Sequence, residues 1–137
     1  MTITVRKLKL WSEMDIADDM ERTQFGNEAD YQHRWGAFDG DTMVGTLSAS
    51  ACQNDNSDLG LYVCRCVVLP DYRGRGLHRR LRGHAERWAK ARGATWSAAL
   101  VLWDNLASQH NLYKCGLVPT DTRKLGKDKY LLFYKDM

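Results

Sequence analysis

Residues 61–69, Leu-Tyr-Val-Cys-Arg-Cys-Val-Val-Leu, constrain the fold more than any other stretch: the run is apolar and β-branched, Arg65 interrupts it, and Pro70 ends it. A strand that is apolar on both of its alternating faces belongs inside a sheet covered on both sides. Beyond Pro70 the period changes. From Gly76 the positions Leu77, Leu81, Ala85 and Trp88 recur at helical spacing, and Gly93 stands where a C-terminal cap belongs. A buried strand feeding an amphipathic helix through a short glycine-bearing link calls for helices layered on a sheet.

The rest of the chain supplies those layers. Residues 2–10 alternate imperfectly through Ile3, Val5, Leu8 and Leu10, as in a strand with one irregularity. Ser12 is the expected N-cap of a helix carrying Ile16 and Met20 and ending near Gly26. Residues 33–38 and 42–51 flank Asp39-Gly40-Asp41, the signal of an antiparallel hairpin, and residues 54–60 read as a loop. A strand over residues 95–102, a helix over residues 105–115 capped by Gly116, and a closing strand over residues 130–135 complete the order. With 137 residues, 44% of them hydrophobic and 27% charged, the expectation is one α+β domain over residues 1–137, a mostly antiparallel mixed sheet of six or seven strands with helices on both faces.

Composition narrows the function classes. No stretch approaches the roughly 20 apolar residues of a membrane span, and the N-terminus has no charged start followed by an apolar run, so a cytoplasmic protein without membrane contact is expected. Cys52, Cys64, Cys66 and Cys115 lack CxxC spacing and are read as buried reduced thiols. His33, His78, His84 and His110 sit at no ligand-like offsets, so no metal is expected. Trp11, Trp35, Trp88, Trp96 and Trp103 are read mostly as core or sheet-face aromatics. The chain carries a formal charge of only +3, yet residues 73–92 hold seven arginines and one lysine against one acid, Glu86. That element should face something anionic.

The link itself, Pro70-Asp-Tyr-Arg-Gly-Arg-Gly-Leu-His78, joins a strand end to a helix start, where unpaired N–H groups and the positive end of the helix dipole can hold a diphosphate. Glycine lets a ligand approach the backbone, and Arg73, Arg75 and Arg79 could add charge-assisted bonds. A solvated arginine face is the competing reading, and both stand at this point. A dinucleotide fingerprint would need a glycine at Arg79, and a P-loop would need a Gly-Lys-Ser/Thr ending that is absent.

At these residues the chain resembles the GNAT superfamily of N-acetyltransferases, whose acyl-CoA signature runs Gln or Arg, two variable residues, Gly, one variable residue, then Gly or Ala. Arg73 and Gly76 match, His78 stands in place of the last small residue, and the lead-in Val67-Val-Leu-Pro-Asp-Tyr-Arg-Gly74 is reproduced. Leu112-Tyr-Lys-Cys-Gly-Leu117 is similar to the family's Leu-Tyr-x-x-Gly-Phe, with Asn105 eight residues before Tyr113 where the family has seven. The resemblance implies a splayed central strand pair and acetyl-CoA as co-substrate. It further implies that Cys66, Val67 and Val68 pair with the pantetheine arm, that Arg73, Gly74, Arg75, Gly76, Leu77, His78 and Arg79 hold the diphosphate, and that Asn105 contacts the ligand. It makes Tyr113 the acid that protonates the departing thiolate. An amine on a small molecule or a peptide is the implied acceptor, with Trp35 beside its pocket. Glu28, His33, Asp58 and His110 are the candidate bases, none of them assigned. Two other classes stay in view: a non-catalytic acyl-CoA sensor or interaction module of the same fold and, ranked last, a nucleic-acid binder using the basic helix. Pairing of edge strands into a homodimer is open.

Overall fold

A computed structural model describes residues 2–25 and 31–137. The elements are β1 (Ile3–Lys7), α1 (Trp11–Phe25), β2 (His33–Asp39), β3 (Thr42–Gln53), β4 (Leu59–Val68), α2 (Leu77–Lys90), β5 (Trp96–Leu102), α3 (Leu106–Lys114), β6 (Val118–Leu125) and β7 (Asp128–Asp136), with one 3₁₀ turn, Pro70–Tyr72, between β4 and α2. They build a seven-stranded sheet in the order β1-β2-β3-β4-β5-β7-β6. Every pairing is antiparallel except β4 with β5.

Successive residues of a strand point to opposite faces, and β2 shows how the layers divide. Trp35 meets the ring of Trp88 on α2, while its neighbour Arg34 meets Met14 and Asp18 on α1. The α2 face is apolar: Trp35, Val44, Leu47, Leu61 and Val63 pack against Leu77, Leu81, Ala85 and Ala89. The α1 face has a smaller apolar cluster of Leu8, Ala17, Phe38 and Met43. A buried polar network supplements it. Arg34 donates to Ser48 Oγ at 2.8 Å, to Asp18 Oδ1 at 2.7 Å and to the Met14 carbonyl at 3.1 Å, and pairs with Glu21 at 3.2 Å. Glu21 in turn accepts from Thr46 and Ser48. α3 covers β5 and β7 through Leu112, which packs with Ala99, Leu117 and Phe133.

Several expectations change. α1 begins at Trp11, so Ser12 lies inside its first turn rather than capping it, and the Leu10 carbonyl receives the first amide bonds. Leu59 and Gly60 belong to β4 and not to a loop, because they pair with Gln53 and Cys52 across the sheet. β6 is an additional strand: all eight of its residues are exposed, so no apolar alternation marks it, and it exists by pairing with β7. Trp11 and Trp103 are surface residues, 87% and 57% exposed, whereas Trp35 is core. The four cysteines are half-buried and unbridged. Glu28 and the expected helix end at Gly26 lie outside the described residues. Among the described residues no helix is long and apolar enough to cross a membrane, and no group of His, Cys, Asp and Glu could hold a metal ion.

Candidate active site

The parallel pair β4/β5 is joined at only three positions, Gly60–Trp96, Leu61–Ser97 and Tyr62–Ala98. At Gly60 a Cβ would fall 2.0 Å from the Trp96 indole, so the absence of a side chain is what lets the two strands meet there. Just beyond, the register with β3 jumps from Ala49–Val63 to Ser48–Arg65, leaving Cys64 as the extra residue of a bulge. From there to Val68, β4 stays paired with β3 but has no strand on its β5 side among the described residues. Arg82 of α2 is 1% exposed and ties α2 to β5. It donates to Ser97 Oγ at 2.9 Å and the Ala98 carbonyl at 3.3 Å, and pairs with Glu86 at 3.0 Å. Glu86 holds Lys135 at 2.7 Å, and Lys135 donates to the Cys115 carbonyl at the end of α3. One of the arginines credited to an anion-facing helix is therefore internal and paired.

The link after β4 is built by its glycines and its arginine. Gly74 and Gly76 have φ of 77° and 74°, a region that residues with a Cβ enter at a cost, and Gly76 is the N-cap of α2 with no side chain closing the first turn. Arg73 Nε donates to the Val68 carbonyl at 3.0 Å, clamping the link to the strand it leaves. Tyr72 donates to Asp39 Oδ2 at 2.6 Å, and the Arg75 guanidinium lies over the Tyr72 ring at 5.2 Å.

A cleft of 650 Å³ opens between this turn, the free side of β4 and α3. It gathers Cys66, Arg73, Gly74, Gly76, Leu77, His78, Arg79 and Asn105 of the expected residues, together with Val68. Val67, Arg75 and Tyr113 do not line it. Val67 is buried within the sheet opposite Thr46. Tyr113 is 52% exposed and sets its ring edge-on to Phe133 at 5.3 Å. It lies about 200° around α3 from Asn111, which does line the cleft. Asn105 caps α3, its Oδ1 accepting from Ser108 N at 3.2 Å. Sequence reasoning missed Tyr72, Ala107, Ser108, Asn111 and Lys114. Ala107, Asn111 and Lys114 stand at i, i+4 and i+7 of α3, with Ser108 beside them, so they share one helix face, a spacing that was readable in the sequence.

The electrostatics are one-sided. Arg73, Arg79 and Lys114 line the cleft, and no carboxylate does among the described residues. Burial, aided by the Arg82 charge, pushes the His78 imidazole down to about 4, so it is neutral at pH 7. Burial raises the Cys66 thiol, which stays protonated. The expected bases stand elsewhere. His33 packs on Trp88, ten residues along α2 from His78 and so about 15 Å away. Asp58 precedes β4 at the end opposite the cleft, about 25 Å along the strand from Cys66. His110 is exposed on α3 and outside the cleft lining.

A parted parallel strand pair thus opens a cleft that runs onto a cationic, glycine-bearing helix start. The chain belongs to the acetyltransferase (GNAT) family, whose model matches residues 5–117. No curated protein sequence matches it. Solved structures share its fold. The Arabidopsis thaliana NAA60 structure in complex with acetyl-CoA is 14% identical, with 99% of this chain and 100% of that one covered at a TM-score of 0.85. Arabidopsis thaliana Naa50, bound to the bisubstrate analogue CoA-Ac-MVNAL, is 15% identical over 100% of both chains, with a TM-score of 0.83. An acetyltransferase of the GNAT family from Streptococcus pneumoniae is 16% identical over 99% of each chain, with a TM-score of 0.78.

Proposed function

We propose that this chain is an acetyl-CoA-dependent N-acetyltransferase that delivers the acetyl group to a primary amine by direct attack on the thioester. One observation carries the reading: the phosphate turn opens at the end of β4 where β4 has lost β5, so an extended amide-bearing arm and a diphosphate can be held by one continuous surface. Family membership and the CoA ligands of the NAA60 and Naa50 structures support it. The backbone of Cys66 and Val68 would pair with the arm, and the N–H groups at the start of α2, with Arg73 and Arg79, would hold the diphosphate. Acetyl-CoA supplies the activated carbonyl; the chain binds it, orients it and keeps the acceptor in register.

The acceptor class follows from the site's charge. A lysine-like ammonium, with a pKa near ~10.4, needs a base, whereas an α-amino group near ~7.7–8.0 is already free in roughly a tenth to a sixth of molecules at pH 7. A cleft without a carboxylate among its described residues suits an α-amino group, on a peptide or a small molecule. The leaving thiolate, whose conjugate acid has a pKa near ~8.5, departs with modest help.

Acetyl-CoA at 100 times its Kd should stabilise the fold by about 2.7 kcal/mol in a thermal unfolding assay. No shift at millimolar acetyl-CoA overturns the reading. Thiol release measured over peptides, amino acids, polyamines and aminoglycosides then identifies the acceptor. Tyr113 off the cleft and the missing carboxylate favour a second reading, a non-catalytic acyl-CoA-binding module of the same fold. It predicts the same stabilisation with no thiol release on any amine.

A further inference from the structure

Building on the acetyl-CoA site just described, we propose that a basic groove between α2 and α3 is a second anion site, which holds the 3′-phosphate on the donor's ribose. The groove would thereby favour acetyl-CoA over acetyl-dephospho-CoA, the same donor without that phosphate. Arg80 and Arg87, which help to build it, stand outside the stretch from Arg73 to His78 that the family signature covers, so the site belongs to this chain's own helix.

Geometry carries the assignment. A concavity of 430 Å³ lies between α2 and the C-terminal end of α3, with Lys135 of β7 at its edge. It shares Arg79 and Lys114 with the acyl-donor cleft, so the two openings adjoin. Side chains on a helix lean toward its N-terminus, and Arg87 does so here. Its Nη1 comes within 3.2 Å of where a Cβ on Gly83 would stand, so the guanidinium lies one turn nearer the cleft than its own Cα, over a residue with no side chain. Gly83 is about 10 Å along α2 from Gly76, and Arg79 and Arg80 lie between them, so cationic groups line the way from the first turn of the helix to the groove.

Charge decides what the groove takes. Arg79, Arg80 and Arg87 line it from α2, and Lys114 lines it from α3. Glu86 is the one carboxylate among its described residues, and it is already held by Arg82 at 3.0 Å and Lys135 at 2.7 Å. Arg80 donates to the Ile3 carbonyl at 2.7 Å, a neutral partner. Arg79, Arg87 and Lys114 form no salt bridge among the described residues. Burial, with the charges of Arg87 and Arg80, holds the His84 imidazole below its ordinary value, so the ring is neutral at pH 7. Like charges gathered in one concavity repel, and an anion with several acceptor oxygens relieves them. A phosphate monoester brings nearly two negative charges and three such oxygens. A nucleic-acid backbone would call for cations spread along a stripe, whereas these converge on Gly83 beside the donor cleft.

The test compares wild type, Arg87→Ala and Lys90→Ala by isothermal titration with CoA and with dephospho-CoA. Both residues are exposed, so neither change opens the core. Wild type should bind CoA about tenfold or more tighter than dephospho-CoA, the worth of charge-assisted bonds to one phosphate. Arg87→Ala should weaken CoA about fivefold or more while leaving dephospho-CoA within about twofold of wild type. Lys90→Ala removes the same charge three residues further along α2, outside the groove, and should keep the wild-type preference to within about twofold. Phosphorus-31 spectra of CoA bound to wild type should show the 3′-phosphate resonance shifted along with those of the diphosphate, a readout that needs no variant.

Equal affinity of wild type for CoA and dephospho-CoA overturns the inference and leaves the arginines a solvated helix face. Equal loss of both ligands in Arg87→Ala, or a preference lowered as much by Lys90→Ala, overturns it as well, since the effect would then be one of general charge. In each of those cases CoA still binds and the acetyl-CoA reading stands. Failure of wild type to bind either ligand overturns the cofactor assignment itself, and this inference with it.

Discussion

Gly60→Ala tests whether the root of the splayed pair is set by side-chain absence. An added Cβ would lie 2.0 Å from two atoms of the Trp96 indole, where ordinary contact begins at 3.4 Å, so the ring must move by well over an ångström. Trp96 has little freedom to do so. It is 6% exposed, donates Nε1–H to the Asp58 carbonyl at 2.8 Å and stacks on Tyr134 at 5.8 Å between centroids. Moving it forfeits a hydrogen bond worth about 1 kcal/mol and an aromatic pair worth about 0.5–1.5 kcal/mol, on top of the overpacking itself, so we expect a destabilisation of about 2–4 kcal/mol. For a domain of this size that is a fall in Tm of roughly 6–15 °C, read by circular dichroism. Gly60 has no positive φ, so backbone strain adds nothing and the whole effect lies in the clash. The double variant Gly60→Ala/Trp96→Leu should accordingly lose less, relative to Trp96→Leu, than the single variant loses relative to wild type. A Gly60→Ala protein melting within about 2 °C of wild type, or additive effects in the cycle, would refute the clash.

The other expectations concern the buried charges and the site. Glu21→Ala removes the more deeply buried of the two carboxylates on Arg34, leaving Asp18 alone, and should cost about 3 kcal/mol in urea unfolding; Glu21→Leu/Arg34→Met should recover much of that, and no recovery would falsify the buried-charge account. Tyr113→Phe should leave kcat within about twofold of wild type, because the ring lies off the cleft face of α3; a loss in kcat larger than the change in CoA affinity would restore it as the acid. The imidazole of His78 sits at about 4 in the fold against 6.5 when exposed, so between those values the unfolded chain binds the extra proton. Stability is complete above pH 6.5 and falls by roughly 3 kcal/mol as the pH drops to 4. His78→Ala should lose less stability across that window, and equal losses would show that the ring is not held neutral.

Much of the site was legible because it is local chemistry. Pro70, Gly74 and Gly76 announce a strand end and two left-handed backbone positions, Arg73 reaches back only five residues to Val68, and Asn105 caps the helix it begins. The illegible parts depend on partners distant in the chain. β6 carries no buried residue and is a strand only through β7. Arg82 looked like its neighbours on a basic helix, yet it is enclosed by Ser97, Ala98 and Glu86. Tyr113 ended a matched motif, but which way a helix face turns is decided by the sheet on which the helix lands, and Leu112 takes the core position.

By itself, then, the sequence determined the kinds of element, their order and the glycine-bearing turn, since dihedral preferences, capping and periodicity act within a few residues. The tertiary structure alone decided that β4 and β5 part after three pairs, which α3 side chains face the gap, and that His78 Nδ1 is left buried and unpaired beside it. Those outcomes are set by packing between segments dozens of residues apart, where the identity of a residue says what it can bond to but not what will be brought within reach.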